Sequence, residues 1–236
     1  MKIYCVYTPA HEVLLRNWFI PSLSDSFELV ASPIQIEGAG DFLSGEFLRC
    51  IRAKIKLIVE SIQENSGQWI LWSDVDILFF QGTNEALCET IKTAGARKIF
   101  FQRETKTGGE VNTGFVLIHC NEETKSFFQE VGNRLELEPT KNEQAIENAM
   151  LNEGVKFEWG YLPVGFVART HGWPPSRRML IYHANYTLGP NGVEQKIRQF
   201  KAVLAMQRYG LPATLYYVAK RVIEKAHEKF CRSNAR

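Results

Sequence analysis

The stretch Trp69-Ile70-Leu71-Trp72-Ser73-Asp74-Val75-Asp76 decides how the rest of the chain reads. Four consecutive large apolar residues are too many for a strand with one wet face, and they predict a central strand buried on both sides. Two carboxylates two residues apart follow it directly. In an open α/β sheet that is the carboxyl edge, where ligands bind. Carboxylates set against so apolar a strand need a counter-charge, because a bare buried charge is costly. A divalent cation supplies one, and carboxylate oxygens suit Mg²⁺ or Mn²⁺ bridged to phosphate. The competing reading is a solvated turn in which Asp74 or Asp76 caps the next element.

Working outward, short β-rich runs alternate with helical stretches, the pattern of an α/β fold. Strands are expected at Ile3–Tyr7, Phe27–Ala31, Lys98–Gln102, Thr113–His119 and Val155–Leu162, with short ones over 77–80 and ending at His183. A helix after Pro9 should present Val13, Leu14, Trp18 and Phe19 on one face. A long helix over 46–64 has Phe47, Leu48, Ile51, Ile55 and Ile58 three or four apart, and Asn65-Ser66-Gly67 stops it. Helices are also expected over 84–93, 122–137 and 142–151, and a final pair breaks near Gly210-Leu211-Pro212. A polar, Gly-containing loop should run up to Gly45.

The 236 residues suffice for one α/β domain and are short for two. The net charge of +2 gives no sign of a nucleic-acid partner. Its distribution is uneven: residues 196–236 hold ten Lys/Arg against two Glu, a local +8, which leaves −6 on residues 1–195. Five scattered cysteines without a C-x-x-C pair read as reduced thiols rather than a disulfide framework. No apolar run approaches the roughly 18 residues of a membrane span. The expected location is the cytoplasm, or the inner face of a membrane if the basic tail rests on it.

Three further segments carry polar groups in suggestive places. Val111-Asn112-Thr113-Gly114-Phe115 puts an amide and a hydroxyl at a strand start. Asn142-Glu143-Gln144 opens a helix, and Tyr182-His183-Ala184-Asn185, followed by Gly189 and Lys196, offers an imidazole and an ammonium. With the D-x-D pair, and in this order from Met1 to about Lys196, these segments resemble the retaining nucleotide-sugar glycosyltransferases of the GT-A fold, family 77 most and family 8 more distantly. The resemblance implies a single GT-A-type (Rossmann-like) α/β domain with a mixed central sheet over residues 1–196 and a basic C-terminal helical extension over 197–236.

The resemblance further implies metal-dependent transfer of a sugar from a nucleotide diphosphate, with UDP the expected nucleotide, to a glycan or glycoconjugate acceptor. Asp76 and His183 would ligate Mn²⁺ (or Mg²⁺), and Asp74 would touch the donor's ribose or sugar beside the ion. Asn112, Glu143 and Gln144 would hold the transferred sugar, with Glu143 standing where such enzymes usually have Asp. Lys196 would meet the diphosphate and Thr8 the base pocket. Arg49, Arg52 and Lys54 lie on a helix that often faces a cation to the nucleotide. The same carboxylates in a phosphatase or nucleotidyl enzyme are the runner-up. Haloacid-dehalogenase-like pairs, however, end the first strand, whereas Asp74 lies some seventy residues in. A non-catalytic sugar-nucleotide-binding module is the third reading.

His183 alone would ordinarily be a structural histidine. Trp173, in the loop Ala168–Pro175, is a flat surface of the kind that packs on sugar C–H groups, or a plain packed turn. Leu211, Leu215, Tyr216, Val218, Val222 and Ile223 among Lys220, Arg221, Lys225, Lys229 and Arg232 form a basic amphipathic helix. Such a helix either rests on an anionic membrane or packs on the domain with a solvated basic face.

Overall fold

The computed structural model describes residues 1–35, 45–187 and 191–234, with side chains over 1–35, 47–187 and 191–223. Gly189 and the side chains of Lys225, Lys229, Cys231 and Arg232 lie outside the described residues, as does most of the loop expected before Gly45. The strands in chain order are β1 (Lys2–Tyr7), β2 (Glu28–Pro33), β3 (Trp69–Ser73), β4 (Ile77–Phe79) and β5 (Arg97–Arg103), then β6 (Val111–His119), β7 (Glu158–Tyr161), β8 (Phe166–Ala168) and β9 (Ile181–His183). The main helices are α1 (Gly45–Glu64), α2 (Thr83–Lys92), α3 (Glu122–Leu137), α4 (Glu143–Glu153), α5 (Gly192–Tyr209) and α6 (Leu211–Asn234).

Six strands form a mixed sheet in the order β2-β1-β3-β6-β5-β7. β1 pairs parallel with β2 and β3, β5 parallel with β7, and β6 antiparallel with both β3 and β5. Because successive strand residues point to opposite faces, β3 feeds two cores at once. Ile70 and Trp72 join Tyr4, Val116, Ile118 and Phe101 under α1 and α3, against Ile51, Ile55, Ile58, Phe128 and Val131. Leu71 joins Ile3, Cys5, Phe115 and Leu117 on the other face, with Phe19, Phe200, Val203 and Met206. That is why the strand is apolar without alternation.

A second sheet, β4-β9-β8, covers part of this second face. The D-x-D segment is the joint between the two sheets. Asp74 N–H donates to Gly114 O of β6 at 2.7 Å, whereas Asp76 O accepts from Ala184 N–H just past β9 at 2.9 Å. Ile77 then pairs with His183 across the small sheet. This register puts the strand-end carboxylates beside the imidazole.

The first crossover departs from a regular helix. It opens as a 3-10 turn at Pro9–His11, and the turns widen to i→i+5 bonding over Leu15–Phe19. Pro21, in the next turn, has no N–H to donate. The widening changes the phase of the buried stripe, so Leu14, Leu15 and Phe19 are buried and Val13 is left 37% exposed. The expected strands at 27–31 and 155–162 are Glu28–Pro33 and Glu158–Tyr161. The expected boundary at 196/197 falls inside α5, whose Phe200, Val203 and Met206 are core residues; beyond Tyr209 the contact thins to Ala213 and Tyr217 of α6, partly buried against the same core. Cys5, Cys88 and Cys120 are free thiols. Among the described residues no helix is long and apolar enough to cross a membrane.

Candidate active site

The site lies at the carboxyl ends of β1 and β3. A pocket of about 160 Å³ there is lined by Thr8, His11, Phe47, Lys54, Asp74, Asp76, Glu143 and Lys196, among others. A larger, open cleft of about 560 Å³ at the β5–β7 edge, with Arg97, Arg103, Trp159 and Tyr161, holds none of the expected site residues.

Two linked charge clusters form the pocket floor. Lys54, reaching up from α1, donates to Asp74 Oδ1 at 3.0 Å, Glu143 Oε1 at 3.1 Å and Thr113 O at 3.1 Å. Its ammonium also lies 5.9 Å from the centroid of the Trp72 ring. Burial works against the charge on Lys54, but Asp74 and Glu143 outweigh it and raise the pKa above the ordinary lysine value. Glu147, one turn beyond Glu143, is pushed the other way. Burial first, and then the Glu143 charge, hold its carboxyl well above the usual range. Cys5, beneath Asp74 on β1, is pushed up to about 12 by burial and by that carboxylate, so it is an inert thiol.

The second cluster is the metal candidate. Ligand atoms of Asp74, Asp76 and His183 all lie within 4.8 Å of one another. Asp76 Oδ2 pairs with Lys196 Nζ at 2.6 Å, and Asp76 Oδ1 faces His183 Nε2 at 3.3 Å. Burial alone would raise the Asp76 pKa, but Lys196 and His183 overcome it and hold the carboxyl well below its usual range.

Three observations test whether these residues suit a cation. First, Asp76 Oδ1 is buried with no hydrogen-bond partner. Second, His183 Nδ1 lies 2.9 Å from Gln102 Oε1, and the Gln102 amide is oriented by donating to Phe166 O at 3.3 Å. Gln102 therefore holds the ring by Nδ1 and leaves Nε2 turned toward Asp76, the orientation of a metal-ligating histidine whose other nitrogen has an outer partner. Third, a Cβ at Gly114 would lie 2.8 Å from Asp74 Oδ2 and 3.0 Å from His183 Nε2, so only glycine leaves the space between the ligands open. Two carboxylates and an imidazole fit a divalent ion such as Mn²⁺ or Mg²⁺.

Of the expected residues, Thr8, Lys54, Asp74, Asp76, Glu143 and Lys196 line one pocket, and His183 adjoins it through Asp76. Asn112 is nearby but committed within the protein: Oδ1 accepts from Gly114 N–H at 3.0 Å and Nδ2 donates to Glu104 at 2.6 Å. Gln144 Nε2 donates to the same Glu104 oxygen at 3.3 Å, which leaves the carbonyl as the end that Glu104 does not hold. Asn185 donates to Thr170 Oγ1, and its Oδ1 is buried without a partner.

Arg49 and Arg52 do not join the site. Both are exposed on α1, and Arg52 pairs with Glu136 of α3 at 3.0 Å. The Trp173 ring is half-buried, with the Arg221 guanidinium 5.6 Å from its centroid, so α6 lies over the flat surface that the sequence singled out for sugar packing.

Gln102, Glu104 and Glu147 escaped the sequence reading. Gln102 is aimed inward by a bulge at Phe101/Gln102, where β5 slips against β6. The one available signal was an amide closing the otherwise apolar run Ile99-Phe100-Phe101. Glu147 sits between Ile146 and Met150 on the buried side of α4, and helical phase could have found it.

With the geometry in place, the comparisons are specific about the fold. A family model described as nucleotide-diphospho-sugar transferase matches residues 25–200. A glycosyltransferase involved in glycosylation of the major capsid of PBCV-1 superposes with a TM-score of 0.53 at 13% identity, covering 84% of this chain and 98% of that one. The glycosyltransferase GlyE of Streptococcus pneumoniae TIGR4 gives 0.53 at 12% identity, over 86% of this chain and 62% of GlyE. The galactosyltransferase LgtC, solved with donor and acceptor sugar analogs, gives 0.50 at 13% identity, over 84% of this chain and 96% of LgtC. No curated protein matches the sequence. At such identities the solved structures speak for the fold, while the family match covers most of the chain. The chain belongs to the nucleotide-diphospho-sugar transferase family and is a glycosyltransferase of the GT-A fold.

Proposed function

We propose that this glycosyltransferase is metal-dependent and retaining, and that it moves a sugar from a UDP-sugar to a glycan or glycoconjugate acceptor. The observation that carries the reading is the convergence of Asp74, Asp76 and His183, with an unpartnered buried oxygen on Asp76 and a glycine-made gap between the ligands. Asp76 and His183 would hold the ion with Asp74 beside it. A bound divalent ion would supply positive charge where the departing diphosphate gains negative charge.

The remaining steps belong to the chain's own residues. Lys196, at the pocket mouth, neutralises the diphosphate in the same direction. Lys54 fixes Asp74 and Glu143 as a rigid pair facing the sugar, and Glu104 holds Gln144 and Asn112 in register with them. Thr8, tied to His11 Nδ1 at 2.9 Å, closes the base end of the pocket. In a front-face route the leaving phosphate oxygen takes the proton of the acceptor hydroxyl. The chain then has only to position the two partners and stabilise the leaving group.

The test is a thermal-shift panel of nucleotides and nucleotide sugars with Mn²⁺ or with EDTA, because a ligand that binds the native state raises the melting point. UDP with Mn²⁺ is expected to give the largest shift, and Asp76→Ala to abolish its metal-dependent part. Donor incubation should release UDP and free sugar. An unchanged shift in Asp76→Ala removes the ligand assignment, and release of inorganic phosphate favours a phosphatase.

A further inference from the structure

We infer that the outward face of α6 docks on an anionic phospholipid bilayer. The inner side of this helix is already satisfied, since Ala213 and Tyr217 pack against the core and Arg221 lies over Trp173. The outer side of a helix so placed is ordinarily polar. Here it carries Leu211, Leu215, Tyr216, Val222 and Ile223, exposed by 58, 60, 62, 63 and 68%. Pro212 and Ala219 are exposed between them, and Lys220 is the exposed cation of the same stretch. At about 100° per residue these seven uncharged positions fill one continuous arc of roughly 140°, with Lys220 on its rim. Tyr209 and Leu204 of α5, 61 and 40% exposed, add to the exposed apolar area where the two helices meet.

The charges choose the occupant. Arg177 and Arg178 are exposed, and Arg177 reaches the α5–α6 junction, its guanidinium 3.4 Å from where a Cβ on Gly210 would stand. Arg208 lies 5.3 Å from the Tyr209 ring. Residues 196–236 carry +8 while 1–195 carry −6. An apolar arc with a cationic border complements acyl chains beneath a layer of phosphates. A second copy of the chain would instead bring the same cations against themselves across a two-fold contact. The acidic body is repelled by the same surface, which orients the molecule with α6 downward.

The docking does not depend on the reaction, but it has a bearing on it. The loop after β8 joins the two regions: Thr170 donates to the backbone carbonyl of Glu104, which holds Gln144, and Trp173 lies beneath Arg221 of α6. An acceptor glycan carried on a lipid would arrive from the side of that loop.

The experiment is co-sedimentation of the full chain with vesicles of phosphatidylcholine alone and of an equal mixture with phosphatidylglycerol. The wild type is expected to pellet with the mixed vesicles, less so as salt is raised, and to stay in solution with the neutral ones. Leu215→Glu/Val222→Glu, both on the solvent side, should keep the wild-type melting point and lose partitioning by about tenfold or more. Equal sedimentation of the variant overturns the inference, as does a wild type that ignores mixed vesicles at low salt. So does a wild-type dimer, seen by light scattering, that the double substitution turns into a monomer, because the arc would then be a self-interface.

Discussion

Lys54→Met removes the charge at the centre of the site while keeping the length and apolar stem of the side chain. The wild-type ammonium, with only 6% of its side chain exposed, serves two carboxylates at 3.0 and 3.1 Å. Asp74, 32% exposed, can recover water when the charge is gone; Glu143, 11% exposed, cannot. Breaking one buried pair and leaving its partner uncompensated costs about 3–5 kcal/mol. A domain of this kind has about 5–15 kcal/mol in all. At roughly 2–4 °C per kcal/mol for this chain length, the melting point should fall by about 10 °C. Because the Lys54 pKa is raised, its contribution is fully present below the ordinary lysine value of 10.5 and is lost only as pH rises through the higher folded value. Urea melts of the wild type, Lys54→Met, Glu143→Gln and the double variant form the assay. Glu143→Gln on the Lys54→Met background should restore about 2 kcal/mol, since a neutral amide needs no counter-charge. A loss under about 1 kcal/mol in the single variant, or no recovery in the double, would refute the claim that Lys54 is the buried partner Glu143 depends on.

Gly114→Ala should cost about 1–3 kcal/mol from overpacking against His183 and Asp74. It should also prevent UDP-dependent loss of the free Mn²⁺ signal in paramagnetic resonance; a normal Mn²⁺ titration would mean the gap at Gly114 is not where the ion binds. Glu147→Gln tests the opposite sign of linkage. A carboxyl whose folded pKa is raised stabilises the protein fully below the ordinary value of 4.5 and loses that contribution as pH climbs toward the folded value. The glutamine variant should therefore lose less stability than the wild type between about pH 5 and pH 8 in urea melts, and parallel profiles would count against a neutral, buried Glu147.

The polar ends of apolar strands were the legible part. Asp74 and Asp76 follow β3, Asn112 opens the antiparallel β6 and His183 closes β9 of the second sheet, and their order along the chain carried the resemblance that joined them. Lys54 was legible only in company. It shares the inward phase of Ile51, Ile55 and Ile58, whereas Arg52, one step round the helix, points to Glu136. That phase, read strictly, separates the three cations. Gln102 and Glu104 were hidden because a strand bulge sets which side they face, and bulges leave little mark on periodicity. The widened turn at Leu15–Phe19 hid the burial of Leu15 in the same way. On α6 the apolar residues were visible, but which side faced out was decided by tertiary contacts.

The Asp74–Asp76 segment has its two ends fastened to different sheets, the first to Gly114 and the second to Ala184. The pocket floor thus exists only while both layers hold their mutual register, and a slip of one against the other would pull the carboxylates apart before any strand unzips. Donor and ion together would act as a rivet through that seam. Their occupancy should raise protection from hydrogen exchange in β4 and β9 as well as at the pocket itself, making ligand binding a gauge of how firmly the small sheet is seated on the large one.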